Sequence, residues 1–325
     1  MGSRYDMRPV TDGAEWAVLL SRVLRPHMMQ AWPYGEAKQA AVGWRTRRVA
    51  WDAGGWRARR FVFERDGGPV AICQLLDKRL AGVRFATRLN RGPLFLDADP
   101  EGAVVRDVYR TLRERWRHLR GGVLFLAPAL PAGPENYRLL TDLRFRDRHR
   151  PGRAAIRLDL SLDEDQLRGN LTHKWRNRLN VAQRAGLELR VSRAPEDAEW
   201  LIDRHVDNMQ DKSFTGPSPA LLRALQRAAP GDFFVFQARH EGEAVGGMAV
   251  FRFGNTAENY VAWYGEAGRK VNAGNFLCWH AALEMKRRGC RWSDLGGGET
   301  GEGFGRFKLG MNGIQYELLN EWLAY

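Results

Sequence analysis

Phe234-Val235-Phe236 leads through Glu241-Gly242 into Val245-Gly246-Gly247-Met248-Ala249-Val250, and Phe61-Val62-Phe63 leads through Asp66-Gly67 into Val70-Ala71-Ile72-Cys73-Gln74-Leu75. Each stretch is an apolar run, an acidic-Gly turn and a second apolar run, the pattern of a β-hairpin. The segment after each hairpin repeats as well. Residues 104–120 read as a helix, stop at Gly121-Gly122 and enter Val123-Leu124-Phe125-Leu126. Residues 276–288 read as a helix, stop at Gly289 and enter Arg291-Trp292-Ser293-Asp294. Two copies of one mixed α/β unit account for a chain of 325 residues, which is long for one core. Arg150-Pro151-Gly152 marks the expected boundary, with an N-terminal unit over 1–150 and a C-terminal unit over 151–325.

Each copy is expected to open on helices, run through an antiparallel meander and end with a helix that feeds another strand. In the first copy the pattern predicts helices over 13–24 and 34–42 and strands over 47–51, 57–64, 70–77 and 82–88. In the second, a strand over 154–160 precedes a helix that Ser161 and Glu164 would open as a capping box. That helix is expected to run to Ala185 and stop at Gly186. Strands are expected over 187–192, 233–240, 244–253 and 257–265, with helices over 196–210 and 218–228 and a last strand over 314–322.

The chain is 44% hydrophobic and 11% aromatic, which excludes a largely disordered protein. The polar start Met1-Gly2-Ser3-Arg4-Tyr5-Asp6 has no signal-peptide core, and no apolar run reaches the length of a membrane span. Cys73, Cys278 and Cys290 are too far apart for a disulfide framework or a metal knuckle. A cytoplasmic setting is the expectation. The net charge of +13 is unevenly spread: residues 1–150 hold 28 Lys and Arg against 16 Asp and Glu. Two denser patches are Arg45, Arg47, Arg48, Arg57, Arg59 and Arg60, and Arg168, Lys174, Arg176, Arg178, Arg184, Arg190 and Arg193. They suit a polyanion such as nucleic acid, anionic lipid or a nucleotide-linked substrate, and are expected to form one surface.

Lysine is scarce. Only Lys38, Lys78, Lys174, Lys212, Lys270, Lys286 and Lys308 occur among 51 basic residues. Lys308 sits in Gly301-Glu302-Gly303-Phe304-Gly305-Arg306-Phe307-Lys308-Leu309-Gly310, after the run Gly296-Gly297-Gly298. Glycines let a backbone approach a ligand closely, with a compact cation held inside. His173, His205, His240 and His280 have no metal-ligand spacing, so no metal is expected.

These motifs resemble the Fem-type (FemABX) aminoacyl transferases and related BioF2-like acyltransferases, which carry tandem N-acetyltransferase-like (GNAT) domains. Gln30-Ala31-Trp32-Pro33-Tyr34-Gly35-Glu36-Ala37-Lys38 is similar to the family's opening motif. Arg168-Gly169-Asn170-Leu171, with Trp175-Arg176-Asn177-Arg178-Leu179, is similar to its basic helix. Asp294-Leu295-Gly296-Gly297 through Arg306-Phe307-Lys308-Leu309-Gly310 is similar to its C-terminal signature. The resemblance implies an α/β, mixed-sheet fold of two tandem GNAT-like domains. It also implies transfer of an amino acid from aminoacyl-tRNA to an amine of an anionic acceptor that is nucleotide-, lipid- or peptide-linked. Lys38 and Arg176 would face acceptor phosphates, with Gln30, Tyr34, Trp175, Tyr264 and Arg306 lining the substrate. Phe307 and Lys308 would meet the ester, and Asp294, Glu299 or Glu302 would take the amine's proton.

An ammonium beside convergent backbone N–H groups stabilises charge on an attacked carbonyl oxygen, so no bound cofactor is required. The sequence departs from the family in having no room for a long coiled-coil arm, which bears on how tRNA would dock. An acyl-CoA-dependent N-acyltransferase acting on a polysaccharide or lipid precursor is the alternative. Its pyrophosphate loop would be Arg269-Lys270-Val271-Asn272-Ala273-Gly274, where Asn272 stands in place of a glycine. A non-catalytic nucleic-acid or precursor-binding protein is the third reading. Peripheral membrane contact is compatible with all three.

Overall fold

A computed structural model describes residues 5–41, 55–80, 83–116, 122–297 and 303–325. The expected strand over 47–51, Arg45, Arg47 and Arg48 lie outside them, as do Glu299 and Glu302. The chain forms two compact units: Met1–Arg153 with Glu317–Tyr325, and Ala154–Tyr316.

The first unit runs β1 (Tyr5–Val10), α1 (Gly13–Arg22), a 3-10 turn (Met28–Gln30), α2 (Trp32–Ala40), β2 (Trp56–Arg65), β3 (Gly68–Leu80), β4 (Val83–Asn90), β5 (Leu94–Phe95), α3 (Gly102–Arg115), β6 (Val123–Ala127), α4 (Pro134–Asp142) and β7 (Arg146–Asp147). The second runs β8 (Ala154–Asp159), α5 (Glu164–Asn170), α6 (His173–Arg184), β9 (Glu188–Ser192), α7 (Pro195–Asp211), α8 (Pro219–Ala228), β10 (Phe233–His240), β11 (Glu243–Phe253), β12 (Thr256–Tyr264), α9 (Glu266–Lys270), α10 (Ala273–Arg287), β13 (Trp292–Gly297), α11 (Gly303–Leu309) and β14 (Ile314–Glu317). A final β15 (Trp322–Ala324) returns to the first unit.

The two sheets repeat one plan. The first is ordered β1-β2-β3-β4-β6-β15-β7, and the second, read from the far edge, β9-β10-β11-β12-β13-β8-β14. In both, the only parallel ladder described joins the fourth strand to the fifth, β4 to β6 and β12 to β13. The hairpin turns match in their backbone. Asp66 and Gly67 have φ of 51° and 82°, Glu241 and Gly242 of 52° and 83°. Two successive positive φ values are a type I′ turn, whose twist matches that of the strands it joins. The duplication read from the sequence is therefore a duplication of structure.

The boundary is not a clean cut. The sequence assigns all of 151–325 to the second unit, whereas β15 pairs antiparallel with β6 and β7 of the first. The single strand expected over 314–322 is in fact two short ones. Leu319 and Trp322 supply the cause, because both bury in the first core with Leu124, Leu126, Leu140 and Phe145. In the corresponding place of the second sheet stands β8, which comes after the first unit in sequence. Two other expectations are corrected. The helix predicted up to Ala185 breaks at Leu171-Thr172 into α5 and α6, with the Leu171 N–H turning back to Arg168 O. The capping box belongs to Asp163 and Gln166, not Ser161 and Glu164, because Ser161 instead bonds the Asp159 carboxylate.

Among the described residues no helix is long and apolar enough to cross a membrane. The second core is built on α10, whose Phe276, Leu277, Trp279, Ala281 and Met285 bury among residues of β10, β11 and α6.

Trp322 is 1% exposed and its ring meets Tyr137 edge-on at 5.0 Å. Trp322→Ala is therefore expected to cost about 3–5 kcal/mol. The urea midpoint of the first unit should fall while that of the second holds; a uniform or absent shift would contradict the strand assignment.

Candidate active site

The site grows out of β13. This strand is parallel to β12, but the two pair only over Thr256–Glu258 and Trp292–Asp294. Beyond Asp294 the ladder ends and the strands fork. Gly296 turns the chain at the fork with φ of 79°, and a Cβ there would lie 3.0 Å from Asn259 O. Only glycine combines that backbone conformation with that approach. The turn leaves two carbonyls in need of donors. Lys308, projecting from α11, provides them: its Nζ donates to Gly296 O at 3.0 Å and to Gly297 O at 2.8 Å. At 6% exposure its ammonium is buried.

Asp294 holds the turn in place. Its Oδ1 accepts from the Gly296 N–H at 2.8 Å, and its Oδ2 accepts from the Tyr316 hydroxyl. Arg157 Nη2 lies 3.7 Å from Oδ2, with the guanidinium 4.5 Å over the Tyr316 ring. The sequence casts Asp294 as an acceptor of the amine's proton. It is instead 1% exposed and committed to the loop and to a buried cation. Sequence reasoning misses Arg157 and Tyr316. Arg157 does leave a signal, as a charge inside the apolar strand Ala154–Asp159.

Tyr264 ends β12 and packs over the start of α10. Burial holds its hydroxyl well above the ordinary range, and the adjacent Cys278 thiol adds to this. Burial likewise pushes Cys278 up to about 11, while the charge of Lys308 pulls the other way. Lys308, Cys278 and Tyr264 thus form one electrostatic cluster. In α10 the N-cap is Asn272, left-handed at φ 56° and ψ 38°. Asn275 is three residues inside the helix and 3% exposed, and its Nδ2 meets no partner among the described residues.

The remaining predicted residues divide by task. Phe307 packs on Trp175 with ring centroids 5.9 Å apart. Trp175 is 3% exposed, so it fills the core and is not available to stack on a base. Arg176 donates to Gly169 O and Leu171 O at 2.9 and 3.0 Å, bracing the break between α5 and α6. Arg306 is exposed on α11. Gln30 is fully buried. Its Nε2 donates to Gln74 O and Asn90 O, and its Oε1 accepts from the Gln74 N–H. It stitches β3 to the end of β4 and is not a substrate contact. Gln74 in turn accepts from Arg60 Nε, and Arg60 donates to Glu36. A Cβ on Gly35 would fall 2.3 Å from Gln74 Oε1, which explains a glycine inside α2. Tyr34 is buried, with the Lys38 ammonium 5.8 Å from its ring centre. Burial lowers the Lys38 pKa, and the charge of Arg88 lowers it further. Among the described residues no carboxylate pairs with Lys38.

A family model for an acetyltransferase (GNAT) domain matches residues 169–309, the segment that holds the fork and Lys308. FemX superposes with a TM-score of 0.79 at 12% identity, covering 98% of this chain and 96% of that one. The fold is that of FemX. A tandem GNAT protein from the clavulanic acid biosynthesis pathway, solved without AcCoA, gives 0.53 at 15% identity, covering 99% and 98%. L-PGS from Bacillus licheniformis gives 0.50 at 12%, covering 96% and 91%. No curated protein matches the chain by sequence. The resemblance read from the motifs thus extends, as fold, over both units.

Gln30→Ala leaves buried backbone donors and acceptors unpaired, a loss of about 1–3 kcal/mol for each group stranded. A lowered melting temperature with unchanged KM for both substrates is the expected result. A raised KM at unchanged stability would return Gln30 to the binding surface.

Proposed function

We propose that this chain, which has a GNAT-type fold, is a Fem-type transferase that moves an aminoacyl group from aminoacyl-tRNA to an amine of an anionic acceptor. The observation that carries this reading is the buried Lys308 ammonium, held at the fork by two glycine carbonyls. In the step itself the amine nitrogen forms a bond to the ester carbonyl carbon. The bond from that carbon to the 3′-oxygen breaks. The balance closes when the amine enters neutral and its surplus proton leaves on the 3′-oxygen. Negative charge develops first on the carbonyl oxygen and then on the leaving oxygen. A cation in a water-poor setting, already oriented before the reaction, stabilises both. Asp294 acts one step back as a positioning residue, by fixing the Gly296 turn that orients Lys308. Lys38 serves as a phosphate contact for an anionic acceptor.

A second reading has its own support. An acyl-CoA donor needs a turn that aims the first amides of a helix at pyrophosphate. Asn272 adopts the left-handed conformation that a glycine would otherwise supply there, at the head of α10. The departure seen in the sequence is thus compensated in the backbone.

Donor discrimination tests both readings. The protein is incubated with an amine acceptor and, separately, a pool of charged tRNA or a pool of acyl-CoA. Deacylation of one charged tRNA species, lost by about 10²-fold or more in Lys308→Met, is the expected outcome. Lys308→Met keeps the side chain's length, so a preserved melting temperature shows that chemistry and not folding was lost. Turnover of acyl-CoA, abolished by Asn272→Val and absent with charged tRNA, would replace the first reading with the second. Full activity of Lys308→Met with charged tRNA would sink the first reading.

A further inference from the structure

On β2 and β3 of the first unit, side chains alternate between two faces. Arg60 and Gln74 point toward α2, while Arg59, Phe61, Cys73, Leu75 and Asp77 share the face covered by α3. At the end of that face two guanidinium groups reach one carboxylate and a third, Arg115, lies within range of its charge. Arg59 forks onto Asp77, Nε to Oδ2 at 2.6 Å and Nη2 to Oδ1 at 2.9 Å. The Thr87 hydroxyl donates to the same Oδ1 at 2.8 Å, and Arg84 Nη1 lies 4.0 Å from Oδ2. Arg115, the last residue of α3, lies 5.0 Å from the centre of the Phe61 ring, with Arg59 5.2 Å from that same centre. Arg84 lies 5.5 Å from the centre of the Trp116 ring.

Asp77 is fully buried, and the side chains of Arg59 and Arg84 are 21% and 22% exposed. Among the described residues Asp77 is the one carboxylate whose charge bears on Arg84 and Arg115. Three positive charges therefore meet one negative charge in a partly desolvated place. The imbalance is visible in the groups themselves: burial first, and the neighbouring Arg59 charge next, hold the Arg84 and Arg115 guanidinium pKa values below their ordinary range. Asp77 and Thr87 anchor the cluster, the centres of the Phe61 and Trp116 rings lie 5.0–5.5 Å from the guanidinium carbons, and the side chains of Arg59 and Arg84 are partly exposed. Guanidinium forks match the oxygens of a phosphoryl group in bidentate geometry.

We propose that Arg59, Arg84 and Arg115 form a phosphate-binding site on the first unit, taking a phosphate ester or diphosphate. It lies on the sheet face opposite Lys38 and does not depend on the transferase reading. The phosphate can come from a free phosphorylated molecule or from an RNA backbone, and the experiment distinguishes the two.

The test is thermal unfolding and titration of the full chain with inorganic pyrophosphate and with a short single-stranded RNA. The proteins compared are wild type, the double variant Arg84→Gln/Arg115→Gln, and Arg110→Gln as an exposed control on the same helix. Pyrophosphate is expected to raise the wild-type melting temperature. The double variant should melt at or above wild type without ligand, since repulsion has been removed, and bind pyrophosphate at least tenfold more weakly. Arg110→Gln should behave as wild type. RNA that competes with pyrophosphate on wild type makes RNA the source; pyrophosphate binding that RNA does not displace makes it a free phosphorylated ligand. The proposal is overturned if pyrophosphate leaves wild type unshifted, if the double variant keeps wild-type affinity, or if Arg110→Gln loses as much. A double variant that melts below wild type, with no pyrophosphate response in either, would make the cluster an ion-pair scaffold.

Discussion

An ammonium buried between two backbone carbonyls is the constraint around which the second unit is arranged. Taking Lys308 out of water is costly unless its hydrogen bonds are met by fixed dipoles. Gly296 O and Gly297 O, beyond the last pair of the β12–β13 ladder, meet them. They stay aimed only because Asp294 holds the Gly296 N–H. Asp294 is itself buried, and a buried carboxylate needs its own partners, which are Arg157 and Tyr316. The cation at the fork is thus the last link of a chain that begins on the neighbouring strand β8.

The two copies of the unit differ at that same place. In the first sheet β4 and β6 keep an unbroken parallel ladder from Ala86–Val123 to Asn90–Ala127. In the second the corresponding ladder stops after three pairs. A closed ladder satisfies its own carbonyls and offers nothing to a lysine. The first unit turns its polar groups elsewhere, into the Gln30–Gln74–Arg60–Glu36 network on one face and the arginine cluster around Asp77 on the other. The two units thus share a strand order but differ in where the parallel ladder ends.

The hairpins were legible because they rest on local chemistry. Strand alternation and an acidic-Gly turn are written in adjacent residues, and the φ values of Asp66, Gly67, Glu241 and Gly242 result from them. Lys308 was legible because a scarce residue type stood among glycines. The fork was not, since where a parallel ladder ends depends on residues 256–258 and 292–294 meeting across a long connection. The return of β15 to the first sheet was hidden for a similar reason: its pairing partners β6 and β7 lie far from it in the sequence. Gln30 and Trp175 show the converse error, while Arg176 spends one nitrogen on backbone carbonyls. Polar or aromatic residues in a family-like motif read as ligand contacts, yet here they satisfy backbone groups and fill the core. The break between α5 and α6 at Leu171-Thr172 follows Gly169-Asn170 and opens α6 on Thr172, so its signals were local but lay inside a continuous helical periodicity.

The division between arginine and lysine is a matter of shape. Where one side chain must reach several acceptors at once, the chain uses Arg: Arg60 to Gln74, Trp32 O and Glu36, and Arg176 to two carbonyls of one helix end. A planar fork with five donors does this well. At the strand fork the acceptors are two carbonyls of consecutive residues, 3.0 and 2.8 Å from a single nitrogen. A guanidinium would spread its charge over three nitrogens and need a wider gap, pushing the Gly296 turn off the Asp294 carboxylate that orders it. A compact ammonium keeps the turn closed and its charge at one point. The geometry that makes Lys308 fit is also the one the proposed reaction asks of its cation, so packing and the proposed chemistry select the same residue.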